Sequence, residues 1–137
     1  MELIDKQEGI YLLDDENLNF PTQDMMKNDL VAIGGDFHPQ RIINAYKNGL
    51  FPWFIDEYNY IHWYSPQDRM VLFPDEFKLS KSLKRTIKNK GFVIKSNDNF
   101  EEVIKRCSSI KRKEEDDTWI SEPFITAYTR SEERRVG

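Results

Sequence analysis

Residues Leu30 to Phe54, LVAIGGDFHPQRIINAYKNGLFPWF, constrain the fold more than any other stretch of the chain. The apolar residues near Leu30 suit a strand. The glycine pair after them suits a tight turn, because glycine reaches positive φ without steric cost. His38-Pro39 predicts a helix start, since proline at the first helical position gives up an N–H that has no helical partner there. Ile42, Ile43, Tyr46 and Leu50 supply a helical stripe, and Gly49 stands where the helix is expected to stop. Phe51-Pro52 then sends the chain out extended, because the residue before proline disfavours the α region.

Shorter signals flank this block. Tyr11-Leu12-Leu13 suits a strand, and Phe20-Pro21 opens a turn-rich connection. A second segment begins near Ser65-Pro66. Met70-Val71-Leu72-Phe73 reads as a buried strand closed by Pro74. Ser80 is placed to cap a helix over Lys81 to Lys90, with Leu83 and Ile87 facing inward and Gly91 ending it. Phe92-Val93-Ile94 reads as another strand. Asp98 with Glu101 forms a capping-box-like start. Phe100, Val103, Ile104 and Cys107 then share one helix face. Lys111 to Asp117 is expected to be a loop. Trp119-Ile120 leads into a helix capped by Ser121, with Pro123 tolerated in the first turn. Ser131 to Gly137 lacks apolar periodicity and is expected to be unstructured. Strands alternating with helices indicate a mixed α/β architecture.

Bulk properties exclude several classes. A chain with 39% hydrophobic and 32% charged residues is a globular mixture rather than a disordered one. No apolar run approaches the roughly 18–20 residues that span a bilayer. The acidic N-terminal segment lacks the basic start of a signal peptide, so a cytoplasmic location is the expectation. Cys107 is the one cysteine, read as a buried helix residue without disulfide or zinc company. His38 and His62 have no second ligand at metal-binding spacing, so no metal site is expected. Ser65 lacks the flanking glycines of a nucleophile elbow, and nothing nominates a covalent nucleophile.

The net charge of −4 conceals an asymmetry: from Lys78 to Asn97 there are seven basic residues and no acidic one. Lys81, Lys84, Arg85 and Lys88 fall at i, i+3, i+4 and i+7 of the expected helix and share a face. Such a face is ordinarily just solvated, but ordinary helix surfaces mix signs. A stripe of cations matches a phosphate backbone. Gly34-Gly35-Asp36 lacks the Walker lysine and reads as a tight turn rather than a phosphate loop. The Phe-Pro pairs at Phe20, Phe51 and Phe73 read as rigid corners, each able to hold a cis bond. Tryptophan usually fills a core, yet Trp53 follows a proline corner and Trp119 a charged loop. Exposed indoles there would serve as nucleobase platforms. Trp63 is read as structural.

The Leu30–Phe54 block, Ser65-Pro66, Arg69-Met70-Val71-Leu72, Phe73-Pro74, Thr118-Trp119-Ile120 and Ala127-Tyr128 together resemble the leucyl/phenylalanyl-tRNA–protein transferase family. The resemblance implies an α+β fold: a small N-terminal α/β domain over residues 1–64, then the first part of an acetyltransferase-like (GNAT-type) domain over 65–130. It implies transfer of leucine, phenylalanine or methionine from aminoacyl-tRNA to an N-terminal Lys or Arg of an acceptor protein, marking it for degradation by the N-degron route. It implies no cofactor, no membrane and a monomer when intact. It assigns the terminal adenosine to Trp53 and Trp119, and tRNA contacts to the segment holding Lys81, Lys84, Arg85 and Lys88.

The sequence departs from the family in two places. Trp63-Tyr64-Ser65-Pro66-Gln67-Asp68-Arg69 stands where the family has Trp-Trp-Ser-Pro-Asp-Pro-Arg. After Thr129 the family's Leu-His-Glu continuation gives way to an unrelated run over 131–137. The resemblance puts the catalytic residues beyond residue 130, so none is identifiable. The chain is therefore read as truncated with a foreign tail. The alternative function is a catalytically inactive fragment acting at most as a tRNA-binding module.

Overall fold

The computed structural model describes residues 1–5, 8–96, 98–110 and 118–136. Its class is α+β. The strands are β1 (Glu2–Asp5), β2 (Ile10–Leu13), β3 (Leu30–Gly34), β4 (Phe51–Ile55) and β5 (Ile61–Tyr64). The helices are α1 (Pro39–Lys47), α2 (Lys81–Lys90), α3 (Phe100–Ser109) and α4 (Glu122–Val136). Contacts divide the chain into two compact units, residues 1–67 with 99–137, and residues 68–98. These units cut the chain elsewhere than the expected 1–64 and 65–130 division, which concerns domains of a family rather than contacts within these residues.

The first unit is built on one sheet, ordered β1-β2-β3-β5-β4. Only β2 and β3 pair in parallel; the other neighbours are antiparallel. Because β3 and β4 both run against β5, they run parallel to each other, and a parallel relation needs a crossover. Helix α1 is that crossover, and β5 returns by a hairpin to lie between the two strands.

The expected start and stop of α1 hold. The His38 ring accepts the Gln40 amide at 3.2 Å, and Pro39 takes the first helical position. Gly49 follows the cap with φ +76°. Ile42 and Ala45 are buried, and the core beside them contains Tyr11, Leu13, Phe20, Val31, Ala32, Leu50, Ile61 and Trp63. Trp63 is 0% exposed and lies edge-on to Phe20 at 4.8 Å. Its structural reading is correct.

The glycine pair is architectural too. Gly34 and Gly35 have φ +88° and +67°. A Cβ on Gly34 would come 3.1 Å from the Leu13 carbonyl oxygen, and one on Gly35 3.0 Å from the Arg41 guanidinium. Arg41 is a buried hub that the sequence did not announce. Its Nε donates to Asp36 at 2.9 Å, and its terminal nitrogens donate to the Asn17 and Asp14 carbonyls at 3.0 and 2.7 Å. Burial works to raise the Asp36 carboxyl, but Arg41 and the His38 amide hold it below its ordinary value.

Helix α4 packs on α1 and α3, burying Phe124, Ile125 and Ala127. It begins just after Ser121, whose carbonyl accepts the Ile125 amide at 3.1 Å, with Pro123 in the first turn. Four expectations need correction in this unit. Residues 131–136 continue α4 instead of lacking structure, since the helix they extend is already anchored by packing. Cys107 is exposed: α3 buries Ile104 and half-buries Phe100, one turn apart, and leaves Val103 and Cys107 on the flanks. Asn99, not Asp98, precedes α3, in the left-handed region and without a side-chain cap. Glu101 is held one turn on by Lys105 at 2.6 Å rather than reaching back. The expected loop over 111–117 lies outside the described residues.

In the second unit α2 has the expected bounds. Ser80 Oγ accepts the Leu83 amide at 3.1 Å, and Gly91 closes the helix in the left-handed region. Asp98 pairs with Lys95 at 2.8 Å. The expected strands at Met70–Phe73 and Phe92–Ile94 are absent, and those residues are exposed. A strand needs a ladder partner, and neither run has one among the described residues. Leu83 and Ile87 are likewise exposed, not inward-facing. The peptide bonds at the three Phe-Pro corners are all trans.

Candidate nucleic-acid interface

Trp53 sits on β4, the sheet edge where Pro52 is tolerated because its missing N–H breaks no central ladder. Pro52 pairs with Trp63 and Phe54 with His62, so Trp53 is an extra residue opposite neither. This bulge interrupts the in–out alternation. Trp53 and Phe54 consequently both remain on the surface, and Trp53 is 44% exposed. Its ring stands edge-on to Tyr64 at 4.9 Å and tilted to Phe51 at 5.9 Å. Phe54 stacks on His62 at 4.5 Å, and His62 is held by Asp56 at 2.8 Å. The His62 hydrogen bond, against a burial effect of opposite sign, keeps the Asp56 carboxyl below its ordinary value. The result is a fixed aromatic surface on an edge hairpin.

Trp119 belongs to a second aromatic group. It is 39% exposed and stands edge-on to Phe124 at 5.4 Å. Phe124 in turn meets Phe37 edge-on at 4.9 Å, which ties the group to the segment leading into α1. One helical turn beyond Phe124, on the same face of α4, lies Tyr128. Its hydroxyl is 2.7 Å from that of Tyr46 on α1. Burial, reinforced by this bond, pushes the Tyr128 phenol above its ordinary range, so it stays neutral at physiological pH. The pair lines a cavity of about 500 Å³, whose wall also includes Ile42, Ile43, Phe100 and Lys47. Sequence reasoning placed Trp53 and Trp119 at a rim and the structure finds both partly exposed. It missed the tyrosine pair, because its members are 82 residues apart.

Helix α2 carries Lys81, Lys84, Arg85 and Lys88 on one exposed face. Among the described residues none of the four is paired with a carboxylate. That contrasts with α3, where Lys105 and Arg106 are paired with Glu101 and Glu102 one turn away. No cluster of His, Cys, Asp and Glu among the described residues is arranged to hold a metal ion. Chemically, the first unit offers indole faces for a base and a pair of tyrosine hydroxyls beside a cavity with both apolar and charged walls. The second offers uncompensated positive charge.

Comparison with known proteins bears on this arrangement. Residues 71–136 match the family described as leucyl/phenylalanyl-tRNA protein transferase, and residues 35–67 match its N-terminal domain. Together the matches span more than half of the chain. The leucyl/phenylalanyl-tRNA–protein transferase of Dechloromonas aromatica is 44% identical over 117 residues, covering 83% of this chain and 50% of the relative. Those of Flavobacterium johnsoniae and Flavobacterium psychrophilum are 45% and 42% identical, covering 50% and 56% of the relative. The corresponding shares of this chain are 79% and 86%. The chain spans about half the length of the curated relatives it matches.

Proposed function

Since the chain belongs to the leucyl/phenylalanyl-tRNA protein transferase family, we propose that these residues hold the acceptor end of an aminoacyl-tRNA during amino-acid transfer. The amino acid is leucine, phenylalanine or methionine. The acceptor is a protein with N-terminal Lys or Arg, which the added residue commits to degradation by the N-degron route, in the cytoplasm.

The reaction joins an α-amine to the carbonyl carbon of the ester between amino acid and ribose. A fixed 3′ adenosine contributes by holding the ester where the amine can reach it. Trp53 and Trp119 are the proposed adenosine platforms, each stacked base contributing about 1–3 kcal/mol. Lys81, Lys84, Arg85 and Lys88 are the proposed contacts to the phosphates of the tRNA body. The observation that carries this reading is the half-exposed Trp119 ring, joined through Phe124 to the hydroxyl-bearing cavity one helical turn away.

Transfer itself draws on groups that the resemblance assigns beyond residue 130. A polypeptide of these 137 residues is therefore expected to bind charged tRNA without transferring its amino acid. Labelled Leu-tRNA with a peptide beginning in Arg tests both halves. Binding that weakens with Trp119→Ala, without labelled peptide, is the expected result. Failure to bind would overturn the reading, and robust transfer would put catalysis within the residues present.

A further inference from the structure

The pair formed by Tyr46 and Tyr128 has a hydrogen left over. Two phenols bring two hydroxyl hydrogens, and the 2.7 Å contact uses one of them. Neither hydroxyl has another partner among the described residues. Tyr128 is the more buried of the two, whereas Tyr46 is 54% exposed. The economical arrangement has Tyr128 donating to the Tyr46 oxygen. That leaves the Tyr46 O–H free at the cavity, and a hydroxyl that accepts a hydrogen bond becomes a better donor.

We infer that the Tyr46 hydroxyl donates to the carbonyl oxygen of the aminoacyl ester as that oxygen becomes negative, with Tyr128 as the residue that positions it. This rests on the acceptor-end reading above. The amine lone pair adds to the ester carbon, and the C=O π pair moves onto oxygen. When that pair returns, the bond to the ribose 3′ oxygen breaks, and this oxygen leaves with the proton the amine gives up. An O–H aimed at the intermediate oxygen stabilises it more than the ground-state carbonyl. Burial and the tyrosine pairing keep the Tyr128 phenol protonated, so it goes on donating to the Tyr46 oxygen. Lys47 and Ser131 are the competing donors on the same wall, which also carries the Glu132 carboxylate.

The test compares two probes on the full chain: adenosine, and a 3′-aminoacyl-adenosine phosphonate whose charged tetrahedral oxygens stand in for the oxyanion. Tyr46→Phe keeps the ring and removes the donor. It should weaken the phosphonate about tenfold while leaving adenosine unchanged. Tyr128→Phe should give a smaller loss, about threefold, confined to the phosphonate. Trp119→Ala should weaken both probes alike. The inference is overturned if Tyr46→Phe leaves the ratio of the two affinities unchanged, or if Lys47→Met or Ser131→Ala lowers that ratio more than Tyr46→Phe does. Wild-type chain that binds neither probe would instead remove the acceptor-end reading, and this inference with it.

Discussion

The indole N–H of Trp63 donates to the Gly34 carbonyl at 2.9 Å, tying the interior strand β5 to the glycine turn that launches α1. This bond gives the Gly-Gly turn a buried acceptor role that a phosphate loop would not have. Trp63→Phe keeps most of the packing and orphans that carbonyl, at a cost of about 1–3 kcal/mol. Trp63→Ala adds a cavity and should cost about 3–5 kcal/mol. Urea unfolding checks both, and equal losses for the two variants would mean the hydrogen bond carries all of the effect.

Arg41 and Asp36 make acid stability predictable in sign. The folded Asp36 carboxyl lies below its ordinary 3.8. A depressed carboxylate contributes stability that is present above the unfolded value and lost as pH falls through the folded one. Asp14 is lowered in the same sense, to about 2, chiefly by its bond to the N-terminal ammonium. Stability should therefore fall between pH 4 and 2, and Asp36→Asn should flatten part of that fall. Arg41→Ala removes the buried cation's three hydrogen bonds and should cost about 3–5 kcal/mol. Thermal melts across this pH range measure both effects, and an Asp36→Asn profile parallel to wild type would contradict the assignment.

Charge reversal on α2 gives a third outcome. With Lys84→Glu and Arg85→Glu together, tRNA affinity should drop and its logarithmic salt slope should flatten by about 2. Filter binding over a salt series measures it. An unchanged slope in a folded double variant returns this face to an ordinary solvated surface.

What was legible in the sequence was local. Pro39 and Gly49 bound α1, and Ser80 and Gly91 bound α2, because caps act within a turn of the residue that makes them. What was hidden depended on partners distant in the chain. The insertion of β5 between β3 and β4 is a pairing choice no local pattern encodes. Arg41 reads as a solvent residue until the carbonyls of Asp14 and Asn17 are brought over it. Leu83, Ile87 and the runs at Met70–Phe73 and Phe92–Ile94 have core composition, but composition does not supply the surface that covers them. At the candidate site the tryptophans were visible by type. The bulge that exposes Trp53 and the meeting of Tyr46 with Tyr128 were not.

The central claim is that Trp53 and Trp119 receive the 3′ end of an aminoacyl-tRNA, and indole fluorescence during a puromycin titration tests it most directly. The two exposed rings should report the ligand, while the buried Trp63 should not. The account predicts saturable quenching, reduced in part by Trp53→Phe and in part by Trp119→Phe, and lost when both are replaced. Fluorescence that puromycin leaves unchanged, or quenching that survives the double replacement, would contradict it.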